Sequence, residues 1–205
     1  MFLRVRPSQS RIDDFLAQSR RLPLSYQPVG IAGLAQSEFK VDEVRCTLGH
    51  GSQTFTSAKA ALLDWRQFDL GWVELFPRGA PIETGTVVAA LVNHLGFWSL
   101  NGCRIVYLIG DRDPATQFGF AYGTLSNHAE RGEEIFEVSI DPASQEVSYH
   151  IRAASKPRAT LARLGYRFTR ALQARFRRDS LKAMQHAVTS GRSLDLPDNS
   201  PSALQ

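Results

Sequence analysis

The segment HAERGEE, from His128 to Glu134, places five ionisable side chains in seven positions, directly after the strand-like run FGFAYGTL. Carboxylates and an imidazole are the groups that enzymes use for general acid–base catalysis when a fold shields them from water. The same composition is also typical of a polar hairpin turn, in which Gly132 permits a tight or bulged backbone. The chemistry of the segment therefore depends on which of its side chains face the interior.

In the strand that follows the turn, side-chain alternation places the adjacent residues Glu133 and Glu134 on opposite faces. Phe136 and Val138 lie on an apolar row. Glu134 falls on the same row, because successive side chains of a strand point to opposite faces. We therefore expect Glu134 to point inward, and Glu130 and Glu133 to face solvent.

A carboxylate that faces an apolar interior must find a partner or become neutral. Arg104, Arg131, Tyr122 and His128 are the partners that the sequence offers to Glu134. In a functional interpretation, Glu134 or His128 is the general acid or base, and Tyr122 donates a proton or a hydrogen bond to an oxyanion. In a structural interpretation, Glu134 pairs with an arginine at the rim of the sheet and only fixes the hairpin.

A ligand-binding surface is predicted on the strand face that carries the large side chains of FGFAYGTL. Both parities of the run CRIVYLI are apolar, so the sequence leaves open which way Arg104 and Tyr107 point. Trp65 and Trp98 recur at positions that fit either core packing or a ligand surface. The predicted ligand contacts are Trp72, Arg104, Tyr107, Phe120, Tyr122, Phe136 and Phe168.

Several motifs that define reaction classes are absent, among them the GxSxG elbow, HExxH and the Walker loop. The two cysteines, Cys46 and Cys103, stand in strand-like segments without metal-ligand spacing. The GHG run at Gly49–Gly51 is interpreted as a turn, because Thr54 occupies the position of the last glycine in a dinucleotide fingerprint. We therefore expect no metal and no cofactor. A signal-peptide pattern and a membrane-spanning run are both absent, which predicts a cytoplasmic protein.

The order of predicted elements is one strand, one helix, six closely spaced strands and a long final helix. Successive strands without helices between them predict an antiparallel sheet rather than βαβ units. The final helix, residues 158–189, carries Leu164, Phe168 and Leu172 on an apolar stripe that can cover one face of this sheet. The predicted fold class is α+β, with a curved antiparallel sheet of about seven strands wrapped on a long C-terminal helix.

The chain, at 205 residues and 43% hydrophobic composition, is long enough for one domain with a substantial core. A short helix capped by Ser10 is expected ahead of the sheet, and Ser52 is expected to cap a second helix that reaches toward Phe68. The predicted boundaries are residues 1–190 for the domain and 191–205 for a flexible tail.

The order of elements resembles the helix-grip fold of the START and birch-pollen-allergen-like superfamily, which includes polyketide cyclases. A closer resemblance rests on the segments LGHG, FDLGWVELFP, PIETG, NGCRIVYLI, FGFAYGTLSNHAERGEEIFEV and SKPRATLARLGYRFTRALQARFRRDSLKAM. Over about residues 26 to 187 they look like the domain-of-unknown-function family nineteen-ninety. This resemblance implies a fold, and the family has no assigned reaction that could be carried over. The fold in turn suggests an apolar ligand of lipid or polyketide-like character.

Charge is distributed unevenly along the chain. Residues 156–182 carry nine basic side chains against Asp179 alone, whereas residues 22–155 carry nine basic and fifteen acidic side chains. The last helix is expected to carry a basic face that is either solvated and paired with the acidic middle of the chain or available to an anionic partner. Nucleic acid is disfavoured, because the face lacks stacking aromatics and a known motif. The arginines of this face are Arg163, Arg167, Arg170, Arg177 and Arg178.

The sequence leaves three functions open. The first is binding of a small, largely apolar ligand in a cavity between the sheet and the C-terminal helix. The second is an enzyme of cyclase, isomerase or hydrolase type that uses Glu134, His128 and Tyr122, and the third is a basic interaction module. The sequence does not determine the ligand or the oligomeric state, because one fold can host unrelated activities.

Overall fold

The computed structural model describes residues 2–34, 38–94, 96–110, 113–157 and 162–194, with the backbone alone described at residues 2, 157, 162–168 and 191–194. Within these ranges the chain forms eight strands and three α-helices. In chain order they are β1 (Phe2–Leu3), α1 (Gln9–Ser19), β2 (Lys40–His50), α2 (Ser52–Leu63), β3 (Val73–Phe76), β4 (Val87–His94), β5 (Phe97–Ile109), β6 (Gln117–Thr124), β7 (Glu130–Ile140), β8 (Glu146–Pro157) and α3 (Ala162–Leu194).

The strands form one antiparallel sheet in the order β2-β8-β7-β6-β5-β4-β3, and β1 adds a short pairing to β5. Consecutive strands from β3 to β8 pair with one another, and β2 forms the opposite edge of the sheet by pairing with β8. Helix α3 contacts β2 and β8 as well as α2. The predicted α+β helix-grip class is therefore confirmed.

The inner face of the sheet carries the largest core of the molecule. Phe120 and Phe136 are fully buried there, and α3 packs on the same core through Phe176, Met184 and Val188. Period-2 alternation predicted this face correctly, because the inward residues of each strand must be apolar to bury it. The inner-face residues that the sequence predicted and the structure confirms are Phe120, Tyr122, Phe136, Val138, Tyr149 and Ile151.

Among the side chains that the structure describes, α3 contacts the inner core through Phe176, Leu181, Met184 and Val188. Leu172 is only partly buried, whereas Met184 and Val188 are almost completely buried. The predicted packing of Leu164 and Phe168 concerns side chains outside the described part of the chain.

The outer face of the sheet is covered by the N-terminal segment, which the sequence did not predict. Helix α1 places Ile12, Phe15 and Leu16 against Leu91 and Leu100. The loop that follows α1 places a second set of buried side chains on β6, β7 and β8, formed by Tyr26, Ile31 and Ala32 together with Ala121, Ile135 and Ala154. The sheet is therefore buried on both faces over much of its area.

Several predicted boundaries are corrected by capping geometry. Ser8, and not Ser10, is the N-cap of α1, since its hydroxyl accepts a hydrogen bond from the Arg11 N–H at 3.3 Å. Gly51 replaces Ser52 as the N-cap of α2, with a φ of 85° that favours glycine. This helix ends at Leu63, and the chain then passes through a 3-10 turn, Arg66–Phe68.

Helix α3 continues to Leu194, beyond the predicted end of the domain. The division into a domain of residues 1–190 and a flexible tail of residues 191–205 stays a prediction. No helix in the described ranges is long and apolar enough to cross a bilayer. The cytoplasmic location also stays a prediction.

Candidate functional site

A single cross-strand row on the inner face brings polar groups together. Asp42 on β2 and Glu134 on β7 are both paired with Ala153 on β8, and Tyr122 on β6 is paired with Glu134. Directly paired residues of adjacent strands project from the same face of a sheet. The backbones of Asp42 and Glu134 are therefore two strand spacings apart, roughly 10 Å, with only the small Ala153 between them.

Glu134 is held by a neutral partner. The Tyr122 hydroxyl donates a hydrogen bond to Glu134 Oε2 at 2.9 Å. Burial raises the pKa of the Glu134 carboxyl to about 7, although the bond from Tyr122 and the nearby charge of Arg177 act in the opposite direction. Burial and the neighbouring carboxylate raise the pKa of Tyr122 well above its usual value, which keeps its hydroxyl protonated. The inward orientation predicted for Glu134, with a tyrosine as partner, is confirmed.

Helix α3 supplies the positive charge above this row. Arg170 donates to both carboxylate oxygens of Asp42, at 2.5 and 2.6 Å, and Arg177 lies 3.6 Å from Asp42 Oδ1. The hydrogen bonds from Arg170 are the main reason why the pKa of Asp42 is lowered. Seven positions separate Arg170 from Arg177, so both project from one face of the helix.

Glu130 completes this cluster. Gln173 Nε2 donates to Glu130 Oε2 and to the Ser155 hydroxyl, the latter at 3.2 Å. Burial raises the pKa of Glu130, against the opposing effects of Gln173 and the two arginines of α3. The prediction that Glu130 faces solvent is therefore wrong, because α3 lies over the start of β7.

Glu133 is also buried, on the outer face. Its Oε2 accepts hydrogen bonds from the Tyr26 hydroxyl at 2.6 Å and the Gly30 N–H at 2.9 Å. Its Oε1 accepts from the Tyr107 hydroxyl at 2.8 Å and the Ala32 N–H at 3.2 Å. Burial and these bonds raise the pKa of both tyrosines. Strand parity placed Glu133 on the correct face, but the expectation of solvent exposure is wrong, because the N-terminal loop covers that face.

A β-bulge explains the orientation of Tyr107. The register of β5 against β6 shifts between Ile105 and Tyr107. Ile105 belongs to the inner core, whereas Val106 and Tyr107 both pack on the outer one. Simple alternation fails here because the extra residue of a bulge changes the parity of every residue after it.

The other predicted partners of Glu134 are engaged elsewhere. Arg104 donates to the carbonyl oxygens of Arg20 and Leu22, both at 3.0 Å, on the outer face. Arg131 donates to the Ser25 carbonyl at 2.7 Å. Both arginines thus fasten the N-terminal segment, and the structure does not bring Arg104 or Tyr107 together with the inner-face residues.

His128 lies in the turn between β6 and β7, where its Nδ1 accepts the Glu130 N–H at 2.9 Å. The hydrogen bond organises the start of the hairpin, as expected for a residue in a turn. His128 therefore belongs to the turn, whereas Glu134 belongs to β7 and contacts Tyr122.

Aromatic rings form the apolar surface next to the polar row. The ring of Phe68 lies 5.3 Å from Phe176, 5.7 Å from Phe136 and 6.4 Å from Tyr122, measured between ring centroids. Phe120 lies 5.4 Å from Phe136. We refer to Phe68, Phe120, Tyr122, Phe136 and Phe176 as the aromatic cluster. Phe68 was missed by the sequence interpretation, because it was assigned to the end of a helix rather than to a separate turn.

The three tryptophans have different environments. Trp65 is a core residue whose Nε1 donates to the Ala80 carbonyl at 2.7 Å. Trp98 packs on the outer face beside α1. Trp72 lies at the edge of the inner core, where its Nε1 donates to Asp179 at 3.1 Å and the Arg175 guanidinium lies 4.3 Å from the ring centroid. The side chain of Phe168, another predicted contact, is outside the described part of the chain.

The predicted basic face of α3 is divided in the structure. Arg177 is only 8% exposed at its side chain and, with Arg170, turns toward Asp42, whereas the side chain of Arg178 is 63% exposed. The expected pairing of this face with the acidic middle of the chain is confirmed for Arg170 and Arg177, whereas the expectation that both belong to one contiguous solvent-facing surface is wrong. The side chains of Arg163 and Arg167 are outside the described ranges.

The arrangement suits hydrogen bonding and proton transfer. Glu134 can accept a hydrogen bond when ionised and donate one when neutral, and its pKa of about 7 makes both forms accessible near neutral pH. Among the residues that the structure describes, no group of three or more metal-ligating side chains is arranged to hold an ion.

Asp42 was missed by the sequence interpretation. Strand parity could have identified it, since it shares the inward row of β2 with Val44 and Cys46.

Comparisons with known proteins agree with the fold. Residues 25–183 match a family model described as Domain of unknown function (DUF1990). A UPF0548 protein of Dictyostelium discoideum is 36% identical over 213 residues, covering 95% of this chain and 99% of the relative. A UPF0548 protein of Arabidopsis thaliana is 33% identical over 156 residues, covering 74% of this chain and 75% of the relative.

A solved structure extends the comparison. The chain is similar to the Zhui aromatase/cyclase of a Streptomyces species, with a TM-score of 0.53 and 16% identity, over 74% of this chain and 94% of that one. At this identity the similarity shows the fold alone.

Proposed function

The chain belongs to the DUF1990 family, and we propose that it binds a small, largely apolar molecule between the sheet and α3. The molecule packs against the aromatic cluster and places a hydroxyl or carbonyl group at Tyr122 and Glu134. The observation that carries the proposal is the carboxyl of Glu134, desolvated at the margin of an aromatic surface and hydrogen-bonded by a tyrosine.

The hydrogen-bond partner and the pKa of Glu134 support a role in ligand contact over a purely structural role. A carboxylate that only fastens elements is held by several strong donors, as Asp42 is by Arg170 and as Glu133 is by two tyrosines and two backbone N–H groups. Glu134 accepts from Tyr122 and its pKa is raised to about 7, so its neutral form can donate to an oxygen of a ligand. Tyr122 and Glu134 each retain some exposed surface, whereas Phe120 and Phe136 are fully buried. The polar end therefore lies nearer the surface of the molecule than these two phenylalanines.

Native mass spectrometry tests the proposal on protein purified from its own cells. We expect a mass excess that disappears on denaturation, which corresponds to a retained small molecule. In parallel, 2-naphthol serves as a probe with an apolar ring system and one hydroxyl, and its binding is followed by fluorescence titration.

Matched variants connect the binding to the site. Glu134→Gln should weaken 2-naphthol binding about tenfold, the equivalent of one hydrogen bond. Glu137→Gln is the control, since Glu137 lies on the same strand with opposite parity and accepts from Gln117 Nε2 at 2.7 Å. Absence of both a retained molecule and saturable 2-naphthol binding would contradict the proposal.

A second candidate function is acid–base catalysis on the bound molecule, favoured by the raised pKa of Glu134. In this role the ionised Glu134 removes a proton from carbon, and Tyr122 donates a hydrogen bond to the oxygen that gains negative charge. The solved structure with the same fold belongs to an aromatase/cyclase.

Deuterium exchange measures this chemistry directly. The molecule recovered from the protein is incubated in D₂O with wild type or with Glu134→Gln, and NMR follows incorporation at acidic C–H positions. Exchange that requires Glu134 supports the enzyme, whereas equal rates with both proteins leave binding as the function.

A further inference from the structure

Gln67 is a buried polar side chain that the rest of the described structure does not satisfy. It lies in the 3-10 turn Arg66–Phe68 and is completely buried. Neither its Nε2 nor its Oε1 has a hydrogen-bond partner among the residues that the structure describes. An amide can donate two hydrogen bonds and accept two, so all of this capacity is unused.

Other polar groups of the same interior have partners. The Tyr149 hydroxyl lies 3.0 Å from the Ser180 hydroxyl, and Trp65 Nε1 donates to Ala80. Burying an unpaired amide disfavours folding, and leucine, of similar size, would fill the same space without that cost. A glutamine at this position is therefore accounted for if its amide binds something besides the chain itself.

The position of Gln67 connects it with the proposed binding region. The turn Arg66–Phe68 packs against α2, α3 and β3. Phe68, the next residue, belongs to the aromatic cluster and lies 6.4 Å from the ring of Tyr122. Gln67 is thus adjacent in the chain to the aromatic surface that ends at Tyr122 and Glu134.

We propose that Gln67 is a second polar contact of the ligand, which consequently carries two separate hydroxyl or carbonyl groups on an apolar framework. Glu134 holds one of these groups and the Gln67 amide holds the other. This inference rests on the proposed function, and it narrows the ligand class from a molecule with one polar end to a molecule with two.

Three probes of similar shape separate the contributions of the apolar framework, the first hydroxyl and the second hydroxyl to the binding affinity. They are naphthalene, 2-naphthol and 2,6-dihydroxynaphthalene. Wild type should bind the diol about tenfold more tightly than 2-naphthol, because the second hydroxyl reaches Gln67. In Gln67→Leu this advantage should disappear, while the affinity for 2-naphthol is retained. Gln117→Leu makes the same chemical change on β6, at a glutamine that pairs with Glu137, and should keep the advantage.

Stability provides a second readout. Gln67→Leu should keep or raise the urea midpoint of unfolding, because it removes an unsatisfied amide. A clear fall in the midpoint would show that the amide makes a structural hydrogen bond, and the inference would be wrong.

The outcomes distinguish the two proposals. If wild type binds 2-naphthol but the diol has no advantage, or if the advantage survives in Gln67→Leu, the inference about Gln67 is wrong and the proposed function stands. If wild type binds none of the probes and retains no molecule from its own cells, both are wrong.

Discussion

Glu133 and Glu134 are adjacent in the chain, yet their carboxylates serve opposite faces of one strand. Glu133 accepts the Tyr107 hydroxyl at 2.8 Å on the outer face, and Glu134 accepts the Tyr122 hydroxyl at 2.9 Å on the inner face. Glu133 also accepts from Tyr26 and from two backbone N–H groups, which leaves it fully satisfied. Glu133 is therefore a structural anchor, whereas Glu134 is the carboxyl that we propose for ligand contact.

Substitution of the two glutamates should separate stability from function. Glu133→Gln should lower the free energy of unfolding by about 1 to 3 kcal/mol, because it places an amide N–H among hydrogen-bond donors. Glu134→Gln should cost less at neutral pH, since the wild-type carboxyl is already close to its midpoint of ionisation. Urea unfolding at pH 7 measures both, and a larger cost at Glu134 would reverse the assignment of roles.

The raised pKa of Glu134 predicts a pH dependence of stability. The folded pKa of about 7 exceeds the ordinary value of 4.5, so the folded state binds more protons than the unfolded state between these values. Stability should therefore be greatest below about pH 4.5 with respect to this group and fall by at most about 3 kcal/mol as the pH rises to 7. The difference in unfolding free energy between wild type and Glu134→Gln, measured from pH 5 to pH 8, isolates this effect. Parallel profiles for the two proteins would contradict a raised pKa.

The ion pair between Asp42 and Arg170 should stabilise the contact between α3 and the sheet. Asp42→Asn removes the carboxylate that Arg170 and Arg177 both approach, at side chains only 20% and 8% exposed, while the bond from Arg170 to Gln173 remains. We expect a loss of about 2 to 4 kcal/mol in urea unfolding, because removing one partner of a poorly solvated ion pair is costly.

The exposed pair of Arg6 and Glu74 is the control for Asp42. Their side chains are 50% and 29% exposed, so Glu74→Gln should cost less than about 1 kcal/mol. Equal losses for Asp42→Asn and Glu74→Gln would show that the pair under α3 is effectively solvated.

The N-terminal loop should detach when the space above Gly123 is filled. A Cβ at this position would lie 2.3 Å from the hydroxyl oxygen and 2.7 Å from a ring carbon of Tyr26. Gly123→Ala must therefore displace a buried ring and break its bond to Glu133, at a cost of about 1 to 3 kcal/mol. Limited proteolysis should show faster cleavage within residues 22–34.

Gly33→Ala is the matched control, because nothing lies within 4 Å of its Cβ position. This variant should keep the wild-type cleavage rate. Rapid cleavage of Gly33→Ala, or none of Gly123→Ala, would contradict the proposed role of Tyr26 as the contact that holds the loop.

The sequence by itself determined the sheet, its inner face and the inward direction of Glu134. Alternation in β6 and β7 carries this information locally, because apolar side chains at every second position can be buried only on one face. Alternation in β2 predicts the inward direction of Asp42 in the same way. The long final helix also followed from local periodicity.

Only the tertiary structure decided what covers the outer face and which charges meet on either face. Tyr26 and Glu133 are 107 positions apart, and Asp42 and Arg170 are 128 positions apart. Periodicity states that a face is buried or polar, but it contains no information about the distant segment that packs on it. For this reason Glu133 was expected in solvent and is buried. The bulge after Ile105 likewise follows from pairing between β5 and β6, because both parities of that strand are apolar and allow either orientation of Tyr107.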